Sequence, residues 1–270
     1  MSNLVQRTIT GIIFLIIVIG AITLGKVTFL ILFTFILAGS MYEFYTLSQK
    51  DEIRPLKIYG ILVGIIALLT NFLFANNLMS YKCFLLLIPL IIGIFIIELY
   101  RKSDQPFTNI GFTILGILYI AIPLSFANYI VIDNQQNYNP NLLLGFFFLM
   151  WSYDTLAYVF GISFGKHRLF ERISPKKSWE GFIGGTLSSL GIAYIISLFF
   201  KELGFFDWAI TALIVAIAGT FGDLVESSFK RSVDEKDSGK ILPGHGGTLD
   251  RFDAVLLALP LFYLYLQFVQ

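Results

Sequence analysis

Long apolar runs separated by short polar gaps constrain the fold of this chain more than any other feature of its sequence. A helix needs about 20 mostly apolar residues to cross a bilayer. The chain is 56% hydrophobic with a mean hydropathy of +0.78, so little sequence remains for a soluble domain. The runs are continuous and do not alternate between apolar and polar residues, which argues against a membrane β-barrel. We therefore expect an all-α polytopic integral membrane protein with about nine transmembrane helices, at 8–24, 27–48, 56–76, 83–100, 110–132, 142–164, 181–200, 208–229 and 252–269.

The lysines and arginines are distributed unevenly over the gaps between these spans. When the gaps are assigned alternately to the two sides, 16 of the 19 basic residues fall on the side of the N-terminus and 3 on the other. Basic residues concentrate in cytoplasmic loops. The sequence therefore predicts a cytoplasmic N-terminus, two cytoplasmic polar loops and a C-terminus on the outer side.

Reactive side chains are concentrated in the second half of the chain. The first five spans are chemically plain, whereas the last four and their two polar loops carry nearly every reactive group. We expect residues 1–132 to form an N-terminal transmembrane scaffold and residues 133–270 a C-terminal catalytic transmembrane region, although not as separable domains. Glu43 and Glu98, at the ends of early spans, are interpreted as interfacial residues.

Five acidic residues lie within or at the ends of the late spans. Asp154 is deep in the sixth span. Asp223 and Glu226 are three residues apart and share a helix face, and Asp250 and Asp253 repeat that spacing. The connection between the last two spans is short enough to bring these helix ends together. Ionisable groups inside a membrane are usually functional, and oxygen ligands beside a basic loop suit magnesium with bound phosphate. Alternatively, these acids only complement a helix end or pair with a neighbouring lysine.

The polar loop 166–180, KHRLFERISPKKSWE, is strongly basic. We expect Ser174 to cap a helix whose first turn contains Pro175. Lys176 and Lys177 would then lie at the positive end of that helix, where anions bind. The alternative is an ordinary cytoplasmic loop that contacts anionic lipid. The glycines at 181 and 185 have the spacing of close helix packing.

The stretch 227–253 has the highest density of charge and holds His245 in the turn Pro-Gly-His-Gly-Gly. Backbone N–H groups in such a turn, at Gly246 and Gly247, can hold an anion. With no cysteine or second histidine nearby, we interpret His245 as a substrate contact and not as a zinc ligand. The sequence has no nucleophile elbow, P-loop or dinucleotide fingerprint. The remaining side chains suit transfer of a phosphoryl-type group by positioning and charge neutralisation.

The same stretch resembles the signature of the phosphatidate cytidylyltransferases, in the form S-x-F-K-R-x4-K-D-x-G-x2-L-P-x-H-G-G-x2-D-R-F-D. Upstream, Y-x-x-G at 158–161, F-G-K at 164–166 and S-P-K-K-S-W-E-G at 174–181 are also similar to that family. Thr248 replaces an aliphatic residue that is usual in the family, and Ile162 replaces a base found in many members. Neither change removes a charged position of the signature.

The resemblance implies that CTP and phosphatidic acid react to give CDP-diacylglycerol and pyrophosphate, with Mg2+ and room for a second, monovalent cation. It also implies a homodimer in the inner (plasma) membrane bilayer with its active site facing the cytoplasm and no nucleic-acid partner. We expect Asp223 and Asp250 to hold the metal, with support from Asp253 and Glu226. The expected catalytic residues also include Lys230, Arg231, Lys236, Asp237, His245 and Arg251; the expected ligand-binding residues are Ser174, Lys176, Lys177, Lys240, Gly246, Gly247 and Asp154.

Two other functions fit parts of the sequence. One is a cytidylyltransferase for another lipid phosphate, because the headgroup chemistry would be identical. The other is a transporter that uses Asp154, Asp223 and Glu226 as coupling carboxylates. A transporter predicts charges distributed across the bilayer, whereas the charges of this chain cluster towards one face.

Overall fold

Helices make up most of the computed structural model, which describes residues 3–50, 52–133, 135–239 and 246–269. The helices are α1 Asn3–Leu24, α2 Lys26–Leu47, α3 Lys57–Ala75, α4 Leu87–Arg101, α5 Pro106–Gly116, α6 Ile122–Ser125, α7 Ala127–Ile130, α8 Asn141–Phe164, α9 Trp179–Phe199, α10 Phe205–Ser232 and α11 Leu249–Val269. A 3₁₀ helix (Tyr81–Leu86), a π-helical turn (Ile117–Ala121) and the antiparallel strands β1 (Arg168–Phe170) and β2 (Ser174–Ser178) complete the elements. Pro123 accounts for the π-helical turn, because proline cannot donate a hydrogen bond to the preceding helical turn.

The apolar runs form helices long enough to cross a membrane. Within the described residues, eight helical segments have the length and composition of a membrane span, and they coincide with the predicted spans from 27–48 to 252–269. The first predicted span corresponds to α1, whose apolar part is Ile9–Leu24. The prediction of an all-α polytopic membrane protein is confirmed. The cytoplasmic position of the N-terminus stays a prediction.

The chain folds into two compact units. The first contains Met1–Tyr138 and Ser232–Phe252, and the second contains Asn139–Arg231 and Asp253–Gln270. Most of the charged stretch after α10 therefore belongs to the same unit as the early helices. The assignment of scaffold and catalytic roles to residues 1–132 and 133–270 stays a prediction.

Helix α2 packs against α1, α3 and α5 in the first unit. Its buried face includes Phe33, Met41 and Tyr45. The Tyr45 hydroxyl donates to the Thr113 carbonyl oxygen over 2.7 Å. Glycine leaves room for the ring, since a Cβ on Gly116 would lie 2.6 Å from it. Lipid provides no hydrophobic drive for helices to associate, so close packing and hydrogen bonds of this kind hold the unit together.

The two early glutamates are buried within the protein, and their position at the membrane interface stays a prediction. Glu98 is 1% exposed on α4 and Glu43 is 2% exposed on α2. The Glu98 carboxylate accepts a hydrogen bond of 2.6 Å from the Asn109 side chain, another from the Ser103 hydroxyl, and pairs with Arg101. A position at the end of a span is compatible with water, but here each carboxylate points into protein. Donors from other segments compensate its loss of water.

In the second unit, α8 and α9 pack closely through small residues. A Cβ on Gly181 would lie 2.7 Å from the Ala157 carbonyl oxygen, and one on Gly185 would lie 2.8 Å from Ala157 Cβ. Only residues without side chains allow backbones to approach this closely. The interpretation of these glycines as helix-packing residues is confirmed.

Helices α10 and α11 run antiparallel beside each other in the second unit. Towards one end of the pair, the Tyr265 hydroxyl donates to Asp207 Oδ1 over 2.7 Å. Towards the other end, a Cβ on Gly222 would lie 2.6 Å from the Asp253 carbonyl oxygen and 2.9 Å from Ala254 Cα. The start of α11 therefore lies against the acidic end of α10, as the short connection predicts.

The polar loop 166–180 forms a β-hairpin, so the prediction of a helix starting at Ser174-Pro175 is wrong. Residues 174–178 pair with β1, and α9 begins at Trp179. Ser178 caps that helix by accepting a hydrogen bond of 3.1 Å from the Gly181 amide. Proline biases the residue before it towards extended conformations, which favours a strand at Ser174. Lys176 and Lys177 consequently lie in the strand before the helix and not in its first turn.

Candidate active site

Four carboxylates of the second unit form an acidic cluster. Asp223 and Glu226 lie on α10, Asp253 lies on α11 and Asp154 lies on α8. The Asp253 carboxylate interacts electrostatically with Asp223 and Glu226 and, more weakly, with Asp154. The close approach of α10 and α11 at Gly222 brings two of these helices together. Spacing along the chain relates the acids only in pairs, whereas the fold relates all four.

Two lysines pair with the acidic cluster. Lys177 Nζ lies 2.5 Å from Asp223 Oδ2, and the two side chains are 27% and 37% exposed. Lys230 is buried and pairs with Glu226, one turn earlier on α10. The Ser227 hydroxyl also donates to Asp223 Oδ1 over 3.1 Å. The alternative of simple pairing within one helix therefore describes Glu226, whereas Asp223 is joined to the basic hairpin.

Helix α8 reaches the acidic cluster by packing against α10. The buried hydroxyls of Tyr153 and Thr220 lie 2.6 Å apart. A Cβ on Gly219 would lie 3.2 Å from Met150 Sδ. Asp154 follows Tyr153 and is exposed. The packing that would bring Asp154 to the cluster is therefore present, and its part in the chemistry stays a prediction.

Glu180 fastens the base of the β1–β2 hairpin. Its carboxylate accepts hydrogen bonds from the amides of Lys166 (3.0 Å) and His167 (3.2 Å), and its Oε1 lies 2.6 Å from His167 Nδ1. Beside this base is an open cleft of about 750 Å³, lined by Lys166, His167, Arg168, Glu171, Trp179 and Ile183. These contacts join the start of α9 to the residues before β1, so the hairpin that carries Lys177 is tied together at both of its ends.

In the first unit, residues 238–239 and 246–249 of the signature segment lie against two carboxylates. Asp250 accepts hydrogen bonds from the Ser238 amide (3.0 Å) and the Gly247 amide (2.8 Å). Gly246 has φ +82°, a left-handed conformation that favours glycine, and a Cβ there would lie 2.6 Å from Asp250 Oδ2. The Glu43 carboxylate also accepts hydrogen bonds from this segment. The two carboxylates thus hold the described residues on both sides of 240–245.

The other predicted site residues lie at the surface or outside the described residues. Lys176, Arg231, Lys236, Asp237 and Arg251 are exposed and Ser174 is partly exposed. Lys240 and His245 lie outside the described residues. Asp234, between these bases, accepts a hydrogen bond of 2.5 Å from Lys50, which lowers the pKa of the Asp234 carboxyl. The roles expected for the surface bases stay predictions.

The acidic cluster has the donor chemistry of a magnesium site. Magnesium prefers oxygen ligands and is usually held by one or two carboxylates together with substrate phosphates and water. Asp223 and Asp253 can supply two carboxylates from neighbouring helices. Over the described ranges, no three histidine, cysteine, aspartate or glutamate side chains converge as a ready-made metal cage. The residues therefore fit an ion that substrate phosphates help to hold, and they do not fit a closed structural site.

Sequence comparison covers nearly the whole chain. Residues 5–269 match the model of the cytidylyltransferase family. The chain belongs to this family. The phosphatidate cytidylyltransferase of Staphylococcus haemolyticus is 36% identical over 258 residues, covering 94% of this chain and 96% of that protein. The Bacillus subtilis protein of the same name is 32% identical over 267 residues, covering 97% of both chains. As a member of the cytidylyltransferase family, the protein is a nucleotidyltransferase enzyme of the membrane.

Sequence reasoning missed several contacts of this cytidylyltransferase. Glu43 of α2 accepts a hydrogen bond from Ser238 of the signature segment. Tyr153 of α8 forms a hydrogen bond with Thr220 of α10. Glu43 carries a usable signal, because it is an acid within an apolar run, and such residues are usually functional. Its partners lie about 200 residues further along the chain, and nothing local in the sequence identifies them.

Proposed function

We propose that this protein is a phosphatidate cytidylyltransferase, which converts CTP and phosphatidic acid to CDP-diacylglycerol and pyrophosphate. The observation that carries the proposal is the ion pair of Lys177 with Asp223, which joins a basic hairpin to a cluster of carboxylates at one end of α10. Phosphoryl transfer depends mainly on positioning and charge neutralisation. Membership of the cytidylyltransferase family and the printed names of the relatives support the same reaction.

The proposed reaction is an in-line displacement at phosphorus. A phosphate oxygen of the lipid forms a bond to the α-phosphorus of CTP, and the bond from that phosphorus to the oxygen bridging to the β-phosphate breaks. Pyrophosphate leaves with the electron pair of the broken bond. The lipid phosphate is already ionised near neutral pH, so the reaction requires no strong general base. Repulsion between the two anionic substrates is the main barrier that the protein has to lower.

The charged side chains divide this work. Asp223 and Asp253, with Glu226 and Asp154 beside them, would hold Mg2+, which when bound supplies positive charge to phosphate oxygens. Lys177 is partly exposed, so its ammonium can turn from Asp223 to a substrate phosphate. Lys230 is buried against Glu226 and keeps that carboxylate in place. The sequence also suggests a metal-ligand role for Asp250 and phosphate contacts for Lys236 and Arg251, and these roles are part of the proposal.

The proposed setting is the plasma membrane of a bacterium, with the charged end of α10 facing the cytoplasm, where CTP is found. The relatives are bacterial, and the distribution of basic residues supports this direction. A homodimer is also proposed from the resemblance. Gly181 and Gly185 are occupied by α8 of the same chain, so a dimer would use another surface. A second, monovalent cation remains part of the proposal.

The test is release of pyrophosphate from CTP by the purified protein in detergent, with and without phosphatidic acid. We expect release to require the lipid and Mg2+. Asp223→Asn should lower kcat by about 100-fold or more, the range seen when one group that stabilises the transition state is removed. Asp207→Asn is the matched control, because Asp207 lies on the same helix about 24 Å away, at roughly 1.5 Å per residue.

Three results would contradict the proposal. Lipid-independent turnover would remove phosphatidic acid as the acceptor. Preference for a prenyl or ether lipid phosphate in a substrate panel would assign the enzyme to that lipid. Equal activity of Asp223→Asn and Asp207→Asn would show that the acidic cluster is not the reaction centre.

A further inference from the structure

A buried glutamate of α2 binds residues of the signature segment that lie before and after residues 240–245. Glu43 Oε1 accepts a hydrogen bond of 3.0 Å from the Thr248 amide. Its Oε2 accepts one of 2.8 Å from the Leu249 amide and one of 3.0 Å from the Ser238 hydroxyl. All of these residues belong to the first unit. One carboxylate therefore receives three donors from positions on either side of residues 240–245.

Gly239 and Gly247 lie so close to this carboxylate that neither position has room for a side chain. A Cβ on Gly239 would lie 2.5 Å from Glu43 Oε1 and 2.8 Å from its Cδ. A Cβ on Gly247 would collide with Glu43 Oε2 and the Ser238 hydroxyl. Neither glycine has the positive φ that would itself exclude a side chain. Their lack of a side chain is therefore explained by the space that Glu43 occupies.

The same hydrogen-bond network continues to Asp250. The Ser238 hydroxyl, which donates to Glu43, accepts a hydrogen bond of 3.3 Å from the Asp250 amide. The Asp250 carboxylate in turn accepts from the amides of Ser238 and Gly247. Glu43 thus acts on Asp250 through Ser238 and through the backbone of Thr248 and Leu249. By contrast, the Lys50–Asp234 pair is exposed, at 43% and 85%, and exposed pairs contribute little.

We propose that Glu43 is a positioning residue for cytidylyl transfer, which holds residues 238–239, residues 246–249 and the Asp250 carboxylate in the geometry that the reaction needs. This inference rests on the proposed function. A glutamate suits the task because an ionised carboxylate only accepts hydrogen bonds, and all three groups that face it donate. A glutamine would direct its NH2 group at one of these donors. An aspartate would keep both oxygens but withdraw them by one methylene.

Glu98 provides a matched control. It is also a glutamate of the first unit, 1% exposed, on another apolar helix, and it is bound by Asn109 and Ser103. It makes no contact with the signature segment among its described hydrogen bonds. Loss of either carboxylate should destabilise the bundle to a similar extent. Only loss of Glu43 should disturb residues 238–239 and 246–250.

The experiment compares Glu43→Gln, Glu43→Asp and Glu98→Gln in the full-length protein in detergent. We expect Glu43→Gln to lower kcat/KM for CTP by about 10- to 100-fold, the loss typical for a group that orients a ligand. Glu43→Asp should lie between it and the wild type, and Glu98→Gln should keep kcat/KM near wild type. Hydrogen–deuterium exchange should become faster in peptides covering 246–252 for the Glu43 variants only.

A double substitution tests whether Glu43 is the reason that position 239 has no room for a side chain. Gly239→Ala alone should lower kcat/KM, because its methyl group meets Glu43 Oε1. In a Glu43→Ala background the Cγ, Cδ and carboxylate that this methyl group would meet are all absent, so the two losses should be less than additive. Full additivity would contradict the idea that this glycine is shaped to Glu43.

The outcomes separate this inference from the proposed function. If wild-type protein shows no lipid-dependent pyrophosphate release, the proposed function fails. Hydrogen–deuterium exchange of residues 246–252 in the Glu43 variants still decides whether Glu43 holds this segment. If wild type is active and Glu43→Gln matches Glu98→Gln in both kcat/KM and exchange, the positioning role is refuted. If Glu43→Gln does not fold, Glu43→Asp carries the same comparison.

Discussion

The close contact between α10 and α11 at Gly222 predicts that widening the space between these helices lowers the rate of pyrophosphate release. Gly222 lies on α10 next to Asp223, and a Cβ there would lie 2.6 Å from the Asp253 carbonyl oxygen. Ordinary van der Waals contact begins at 3.4 Å. In a Gly222→Ala variant, α10 and α11 must therefore separate locally by most of an ångström. The obstruction is backbone, which cannot rotate away as a flexible side chain can.

The expected effects follow from that displacement. Overpacking of this kind lowers stability by about 1–3 kcal/mol. Asp223 and Asp253 lie on the two helices that are forced apart, so the acidic cluster widens. Misplacement of a reacting constellation by about 1 Å can lower the rate by roughly 100-fold. We expect Gly222→Ala to lower kcat by about 10- to 100-fold while the protein remains folded.

The assay is lipid-dependent pyrophosphate release, measured beside thermal unfolding in the same detergent. Gly191→Ala on α9 is the matched control, because a Cβ at Gly191 meets nothing within 4 Å. Alanine is the better helix former, so this control should be neutral or stabilising by up to about 1 kcal/mol. Wild-type kcat in a folded Gly222→Ala protein would refute the reasoning that the spacing of α10 and α11 sets the geometry of the cluster.

Two further predictions concern the hairpin. Lys177→Met should lower kcat/KM for CTP by about 10-fold or more, because a positive charge beside Asp223 is lost; Lys177→Arg should recover part of it, and equal rates for Met and Arg would exclude a role for this charge. Ser178→Ala should lower the free energy of unfolding by about 0.5–2 kcal/mol through loss of the helix cap at Gly181. Ser174→Ala should leave the free energy of unfolding nearly unchanged. If thermal unfolding showed a larger loss for Ser174→Ala than for Ser178→Ala, the helix would have to begin at Ser174.

The spans could be predicted because the membrane imposes a length and composition on every helix that crosses it. The placement of Asp223 and Glu226 together on α10 also follows from local spacing, whereas the spacing of Asp250 and Asp253 does not show that Asp250 bonds to the amides of Ser238 and Gly247. The hairpin was missed because Ser-Pro is compatible with both a helix start and an extended strand, and pairing with β1 decides between them. Local rules say nothing about partners that are distant in the chain.

Glu43 illustrates that limit. Its position near the end of a span is compatible with contact with water, and only the return of residues 238–249 to α2 shows why it is buried. The pair of Lys177 with Asp223 has the same origin, since 46 residues separate the partners in the chain. The helices can be predicted from residues that are close in the sequence. The candidate site cannot, because it depends on which faces of the helices pack together.

The lysine pairs of the acidic cluster have a consequence for how the protein exists between turnovers. Lys177 and Lys230 act as internal counter-ions for Asp223 and Glu226. Unpaired carboxylates at the edge of a membrane would repel each other and favour opening of the helices. These two counter-ions belong to the chain itself, so they lower the repulsion among the carboxylates of the acidic cluster whether or not a cation is bound. The helices that carry the cluster are therefore expected to stay together more readily than they would with both lysines replaced by neutral residues.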